Sequence, residues 1–340
     1  MKGVVFTGSK TLELREFPDP TPDDDEVVLE IKASGMCGTD LHVYRPEIIA
    51  NPDMIAGHEP CGVVVARGKA TPEYQAPIGQ RVMVHHYDGC RRCNPCVEGW
   101  TQLCEEGSTV YGRTGHGAHA QYMKVPARTL VPLPEALSFA EGAAISCGTG
   151  TAFGAIKRMK MEAGSKVAVF GQGPVGLSVT MIASAMGAEV IAIDMAASRI
   201  ETAKSFGAAS TIDASQTDAV DEIKAQTGGR GVDYAVDCSG APAALDAAAR
   251  STRTWGTVCC VGIGQRASFD IDKDVIHKQL TIMGSWTFSV SGQADCARYI
   301  AEKNLPVQEL FTHSFSINDA KAAYELFDTQ TTGKGFIVPN

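Results

Sequence analysis

Four cysteines, Cys90, Cys93, Cys96 and Cys104, stand in the spacing C-x2-C-x2-C-x7-C. Four thiolates close a tetrahedral zinc site and leave no coordination position for a substrate, so this cluster reads as a structural metal site. A disulfide cluster does not suit a reducing cytosol, and the iron–sulfur run C-x2-C-x2-C-x3-C-P differs at its last spacing. A second group is more dispersed. Cys37-Gly38-Thr39-Asp40-Leu41-His42 carries a thiol, a hydroxyl, an acid and an imidazole within six positions, and Gly57-His58-Glu59 follows about twenty residues on. A thiolate and an imidazole from separate loops are two ligands of a catalytic zinc, which takes three protein ligands and keeps one position open. Cys147, in the run Ser146-Cys147-Gly148-Thr149-Gly150-Thr151, is the candidate third. It stands where a strand-rich region gives way to an alternating one, the expected mouth of a cleft between two domains. Taken singly, each of these residues is of a kind that an ordinary core also holds.

A different chemistry is written at 166–176. The apolar run Lys166-Val-Ala-Val-Phe170 reads as a buried strand, and it stops at Gly171-x-Gly173-x-x-Gly176 with an apolar helical pattern over 177–186 behind it. Gly171 makes the turn, Gly173 lets backbone approach a pyrophosphate, and Gly176 lets the helix pack closely on the strand. The helix N-terminus then offers N–H groups and a positive dipole end to phosphates. A second strand over 189–194 ends in Asp194, 18 residues past Gly176, near the spacing expected of a ribose 2′-OH ligand. A carboxylate accepts from a free 2′-OH and repels a 2′-phosphate, which favours NAD over NADP. Arg199 follows five residues later in the next helix, close enough to bear on that choice.

The elements that must position these groups fall into two patterns. Strands dominate to about residue 132, among them 26–32, 61–66 and 80–85, with a Pro/Asp-rich loop at 18–25. From about 146 strands and helices alternate: helices over 197–206, 218–227 and 242–250, strands over 210–213, 232–238, 257–261 and 280–283. With the two strands around the glycine turn, that makes six strands in a doubly wound parallel sheet, the cofactor lying across their carboxyl ends. Ser239-Gly240 and Gly262-Ile263-Gly264 follow strand ends and are either cofactor-lining loops or plain turns. After Ser285 the chain should return to the first domain through helices over 294–302 and 317–327 and a closing strand over 335–339. At 340 residues two domains are the natural expectation. A formal charge of −9 without a basic block argues against nucleic-acid and anionic-membrane surfaces. No apolar run approaches ~18 residues and the start is unlike an export signal, so a cytoplasmic protein is expected, whose eleven cysteines point to metal or catalysis.

Cys37, Gly57-His58-Glu59, the four-cysteine lobe, Cys147, the glycine turn and Asp194, in this order, resemble the zinc-containing medium-chain alcohol dehydrogenases over essentially the whole chain. The resemblance implies an α/β protein with a GroES-like β-rich catalytic domain over 1–145 and 286–340, carrying both zinc sites, and a Rossmann NAD-binding domain over 146–285. It implies two zinc ions per chain, the catalytic one on Cys37, His58 and Cys147 with Glu59 as a nearby carboxylate, the structural one on the four-cysteine lobe. Asp40 would orient His58. Thr39 and His42 match a proton relay, Thr151 and Val175 match positions at the nicotinamide ring, and a homotetramer or homodimer is expected. Two places depart from several relatives: Gly38 stands where a basic residue faces the pyrophosphate, and His85-His86-Tyr87 replaces an apolar wall of the alcohol pocket. A polar His86 there would favour a substrate with a further hydroxyl, unless it is merely a solvent-facing strand end.

The activity implied is reversible oxidation of an alcohol to an aldehyde or ketone, with hydride transfer to NAD and metal activation of the substrate oxygen. Polyol and threonine dehydrogenases are the rivals within the family. They usually carry a glutamate near the position of Cys147, so Cys147 tilts toward simple alcohols while the histidine pair tilts away. A zinc-free reductase would need neither ligand set. A non-catalytic NAD-binding protein would not need the relay.

Overall fold

A computed structural model of the chain describes residues 1–48, 51–264 and 266–339. It divides into two compact units, Met1–Gly150 with Ser289–Asn340, and Thr151–Phe288. The division runs inside the helix Gly148–Met159.

The first unit is built on a seven-stranded sheet. Its path runs Phe311–Ser316, Lys334–Val338, Glu26–Gly35, Glu59–Arg67, Arg81–Val84, Leu130–Pro132, and Tyr122–Pro126 also pairs with Glu26–Gly35. The strand Glu26–Gly35 therefore has three partners, and its side chains are buried almost continuously rather than on alternate positions. Val27, Leu29, Ile31, Val64, Val82, Val84, Met123 and Val125 form one core here. Each fully buried side chain of this kind contributes about 1.5–3 kcal/mol. A second core, with Val4, Phe6, Leu41, Tyr44, Tyr324 and Phe327, pins the short helix Gly38–Tyr44. That helix follows directly on Cys37, its N-cap, so the packing of Leu41 and Tyr44 fixes where the Cys37 thiol points.

The second unit is a six-stranded sheet in the order Ser210–Asp213, Glu189–Asp194, Lys166–Phe170, Val232–Asp237, Thr252–Cys260, Thr281–Gly284, parallel throughout. This is the doubly wound order 3-2-1-4-5-6, with the switch of direction beside the strand that feeds the glycine turn. The turn leads into the helix Pro174–Ala185, whose N-cap is Gly173 and whose first residue is proline, where a missing N–H costs nothing. Gly171 has φ +89, and a Cβ on Gly176 would collide with the Gly171 carbonyl. Nothing lies within 4 Å of a Cβ position on Gly173, so that flank of the turn is open.

Element boundaries differ from expectation in two places. The strand expected at 257–261 begins at Thr252, because Trp255 at φ +64 inserts an irregularity between Val232 and Tyr234 of its neighbour. Trp255 is exposed, so no core face betrays that extension as an alternating pattern. The helix expected at 317–327 is a 3-10 turn, Ile317–Asp319, followed by the helix Ala320–Asp328.

Candidate active site and metal centres

Cys37, His58, Glu59 and Cys147 converge in the first unit, one ligand atom from each lying within 4.8 Å of every other. Cys37 Sγ is 3.9 Å from Cys147 Sγ, and Cys147 Sγ is 3.5 Å from His58 Nε2. Tetrahedral zinc with bonds of about 2.3 Å to sulfur and about 2.0–2.1 Å to nitrogen sets edges of about 3.8 Å and about 3.6 Å for those pairs. The donor set therefore fits zinc in kind and in spacing. Electrostatics agree. The hydrogen bond between the two sulfurs holds Cys37 well below the ordinary thiol range and Cys147 well above it. A pair sharing one proton in this way needs a dication to become two thiolates.

The loop that brings His58 here turns at Gly57, with φ +90, immediately before the strand Glu59–Arg67. Asp40 links the two ligand segments. Its Oδ2 accepts from the Cys37 backbone N–H at 2.9 Å, and its Oδ1 lies 2.7 Å from His58 Nδ1. That contact turns Nε2 toward the sulfurs. Burial works against ionising Asp40, but the His58 imidazole outweighs it and brings the acid to about 2. Burial likewise works against protonating His58, and Asp40 outweighs that, raising the imidazole well above its ordinary value. A basic imidazole beside two thiols favours a bound cation.

Glu59 is wholly buried, and its Oε2 lies 2.5 Å from Lys334 Nζ. Burial pushes this acid up to about 8 while the ammonium pulls it down. Lys334 is itself buried and also donates to the Met36 carbonyl at 3.0 Å. Thr39 and His42 stand three positions apart on the helix Gly38–Tyr44, on one face, Thr39 half-buried and His42 exposed. Space around Gly38 is open to at least 4 Å from a Cβ position. His86 is not a solvent-facing strand end: it is buried, its ring centroid is 5.2 Å from that of His58, and its Nδ1 lies 2.9 Å from the Ser146 carbonyl. That contact makes Nδ1 the donor, and burial keeps the ring neutral by lowering its pKa well below 6.5.

The other cluster, Cys90, Cys93, Cys96 and Cys104, surrounds a single point at the start of the helix Asn94–Val97. Cys93 Sγ and Cys104 Sγ are 4.0 Å apart, and backbone N–H groups of Cys93 and Cys90 point at Cys90 Sγ and Cys104 Sγ at 3.4 and 3.3 Å. Backbone donors lower the Cys90 thiol to about 7, which prepares a thiolate. All eleven cysteines are free of disulfides.

In the second unit Asp194 ends its strand beneath the glycine turn. Its Oδ2 accepts from the Gln172 N–H at 2.6 Å and its Oδ1 from Met195 and Ala196 at 2.8 and 2.9 Å. Arg199 Nη1 stands 3.9 Å from the same carboxylate. Val175 is in the first turn of the helix behind Gly173, and Thr151 is buried in the helix Gly148–Met159. Ser239 follows Asp237, whose carboxylate accepts from the Ser239 N–H at 2.9 Å, and Ile263 is exposed beside Gly262.

A fold of this kind, with a closed four-thiolate site and an open thiolate–imidazole site, defines a zinc- and dinucleotide-dependent oxidoreductase. Comparison with known proteins agrees. Residues 23–135 match the alcohol dehydrogenase GroES-like domain and residues 174–303 match the zinc-binding dehydrogenase domain. The chain is 36% identical to an uncharacterised zinc-type alcohol dehydrogenase-like protein of Escherichia coli K12, over 98% of this chain and 97% of that one. It is 31% identical to a sorbitol dehydrogenase of Bacillus subtilis, over 96% and 93%. The solved alcohol dehydrogenase TADH of Thermus sp. ATN1 superposes with a TM-score of 0.92 at 29% identity, covering 99% of each chain. The chain belongs to the zinc-dependent medium-chain alcohol dehydrogenase family, and is an NAD-dependent alcohol oxidoreductase.

Sequence reasoning missed Lys334, His119 and Tyr324. The signal for Lys334 was slight: a single cation at the edge of the apolar closing strand, Lys334–Val338. His119 sits among small residues at 117–120 that carry no periodic signal.

Proposed function

We propose that this enzyme oxidises a secondary or primary alcohol carrying at least one further hydroxyl, a polyol-type substrate rather than a simple alcohol. The observation that supports this reading is the buried, neutral imidazole of His86 beside the metal ligands. A polar wall there favours a substrate that can hydrogen-bond to it over an apolar analogue of the same size. The sorbitol dehydrogenase among the relatives is consistent with that class. Cys147 serves zinc as a carboxylate would, so it does not exclude the polyol branch.

In this reading Cys37, His58 and Cys147 hold the catalytic zinc, Cys90, Cys93, Cys96 and Cys104 hold the structural one, and Glu59 stands by as a carboxylate close to the metal. Zinc supplies Lewis-acid polarisation of the substrate oxygen and NAD accepts the hydride. Asp40 orients His58. The Thr39 hydroxyl would accept the proton of the substrate alcohol as it gives up its own, which is relayed outward to His42, exposed on the same helix face, and from there to water. The segments 1–145 and 286–340 act as the zinc-carrying domain and 146–285 as the NAD domain. There, Gly171, Gly173, Val175 and Gly176 cradle the pyrophosphate, Asp194 and Arg199 meet the adenosine ribose, and Thr151, Ser239, Gly262 and Ile263 line the nicotinamide side. A homotetramer or homodimer in the cytoplasm completes the proposal; the edge strand Thr281–Gly284 with exposed Ile276 and Ile282 suits contact with a second copy, and a light-scattering mass decides it.

The test is NADH formation with a panel of simple alcohols, vicinal diols, polyols and threonine, for the native protein and His86→Phe. Polyols should give the highest kcat/KM, and the substitution should lower it by about ten- to hundredfold for them alone, the equivalent of about 1.5–3 kcal/mol. Simple alcohols winning with the native enzyme sinks the assignment.

A further inference from the structure

Close to the His58 loop lies a row of buried polar groups that the reaction as described does not use. Ser34, His119 and Tyr324 are each fully buried. Ser34 Oγ lies 2.7 Å from His119 Nδ1, and His119 Nε2 lies 2.8 Å from the Tyr324 hydroxyl. Burial and then the charge of the nearby Asp40 carboxylate raise that phenol well above its ordinary range, and Asp40 in turn holds His58. We propose that His119 and Tyr324 are positioning residues for the catalytic metal, His119 bracing the Gly57–His58 segment and Tyr324 and Ser34 holding the His119 ring in place from either side.

The direction of the chain follows from its end. Asp40 is ionised, so its charge draws the Tyr324 O–H toward it. Tyr324 oxygen then accepts from His119 Nε2–H, and His119 Nδ1 accepts from the Ser34 O–H. This assignment uses one imidazole proton, as a neutral ring requires, and burial keeps His119 neutral by lowering its pKa to about 4. Three successive donors thus point toward one carboxylate, and each is polarised by the next.

A second contact, independent of the first, ties the same residue to the same ligand. The His119 ring lies against the backbone of Gly57, the residue before His58: a Cβ on Gly57 would sit 2.5 Å from His119 Nδ1. His119 N–H also donates to Ala56 O at 2.9 Å, and Ala118 N–H to Gly57 O at 2.8 Å. His119 therefore supports the His58 loop through both its ring and its backbone, while Tyr324, hydrogen-bonded to it, lies near the Asp40 charge that holds the His58 side chain. The Tyr324 ring is held in turn by Phe6 and Tyr44, with centroids at 4.9 and 5.3 Å. Outer partners of metal ligands typically change metal affinity by about 10–100-fold when removed.

The inference rests on the assignment of Cys37, His58 and Cys147 as zinc ligands, but not on the substrate. Its test is metal retention by the full-length protein carrying two zinc ions, challenged with a chelator, for Tyr324→Phe, His119→Phe and Ser34→Ala, with the four-cysteine zinc as internal reference. Tyr324→Phe keeps the ring packing and should lose one zinc about 10–100-fold faster than the native chain while the other stays. The visible spectrum of protein with cobalt in the catalytic site should shift, and kcat should fall with KM little changed. His119→Gln, able to keep one of the two hydrogen bonds, should lie between. Native retention and an unchanged cobalt spectrum in Tyr324→Phe and His119→Phe overturn the proposal. So does parallel loss of both metals with unfolding, which marks a role in folding alone. If no alcohol is oxidised by any form, the polyol assignment fails while the retention data still decide this one.

Discussion

Replacing Lys334 by methionine isolates the most exposed weakness of the active-site floor. Lys334 and Glu59 side chains are 3% and 0% accessible, their charged atoms are 2.5 Å apart, and among the described residues no other cation pairs with Glu59. Removing one partner of such a pair costs up to about 3–5 kcal/mol when the other stays charged, and Glu59, already pushed up to about 8 by burial, sheds part of that cost by taking up a proton. Methionine fills the stem volume of lysine, so little of the effect comes from a cavity. For a unit of this size about 1 kcal/mol shifts the melting temperature by about 2–4 °C, so Lys334→Met should melt below the native protein by up to about 20 °C. The cost belongs to the unpaired acid rather than to the lost lysine. Adding Glu59→Gln in the same chain should therefore recover at least half of the drop, and the double-mutant cycle should show a coupling of more than about 1.5 kcal/mol. The assay is thermal unfolding followed by near-ultraviolet ellipticity at fixed zinc concentration. Equal melting of the native and Lys334→Met proteins, or single effects that simply add, would refute the reasoning.

The acid limb of the stability curve should reflect the buried histidines held neutral, His86 among them. Burial lowers both His85 and His119 to about 4, below the ordinary 6.5, so the unfolded chain binds more protons between those values and stability falls as pH drops through that window, by about 3 kcal/mol for each group. Urea midpoints between pH 7 and pH 4.5 should show the fall, with a shallower slope in His85→Leu; an identical slope would count against it. Asp194→Asn keeps the oxygen that accepts from Met195 and Ala196 but loses the charge, so kcat/KM for NAD should fall by about 10–100-fold while NADP gains relative to NAD. Steady-state rates with both cofactors measure this, and an unchanged ratio contradicts it.

What could be read from the chain and what could not divides along a physical line. The glycine turn with Asp194 and the four-cysteine lobe are local: each is a short segment whose spacing alone dictates its chemistry, and the order of alternating elements then imposes a parallel sheet. The Cys37, His58 and Cys147 set is assembled from three distant segments, and only the conjunction of motifs singled it out. His86 stood undecided between pocket wall and exposed strand end, because the partner that covers its backbone, the Tyr111 N–H on the His86 carbonyl at 3.0 Å, comes from a loop with no pattern of its own.

Lys334 and His119 were illegible for a stronger reason. The role of a buried polar residue is set by the partner it meets, and theirs lie far along the chain: Lys334 meets Glu59, and His119 meets Tyr324 across 205 positions. Apolar core residues betray burial through periodicity, since any apolar neighbour will serve them. A lysine or histidine can be buried only where a particular group compensates it, so its burial leaves no periodic trace. The trace it does leave is an interruption: Lys334 at the edge of an apolar strand and His119 between two alanines, at the very point where the backbone passes under a metal ligand. In this fold a polar residue that breaks an apolar run is thus a better pointer to the ligand scaffold than the run itself.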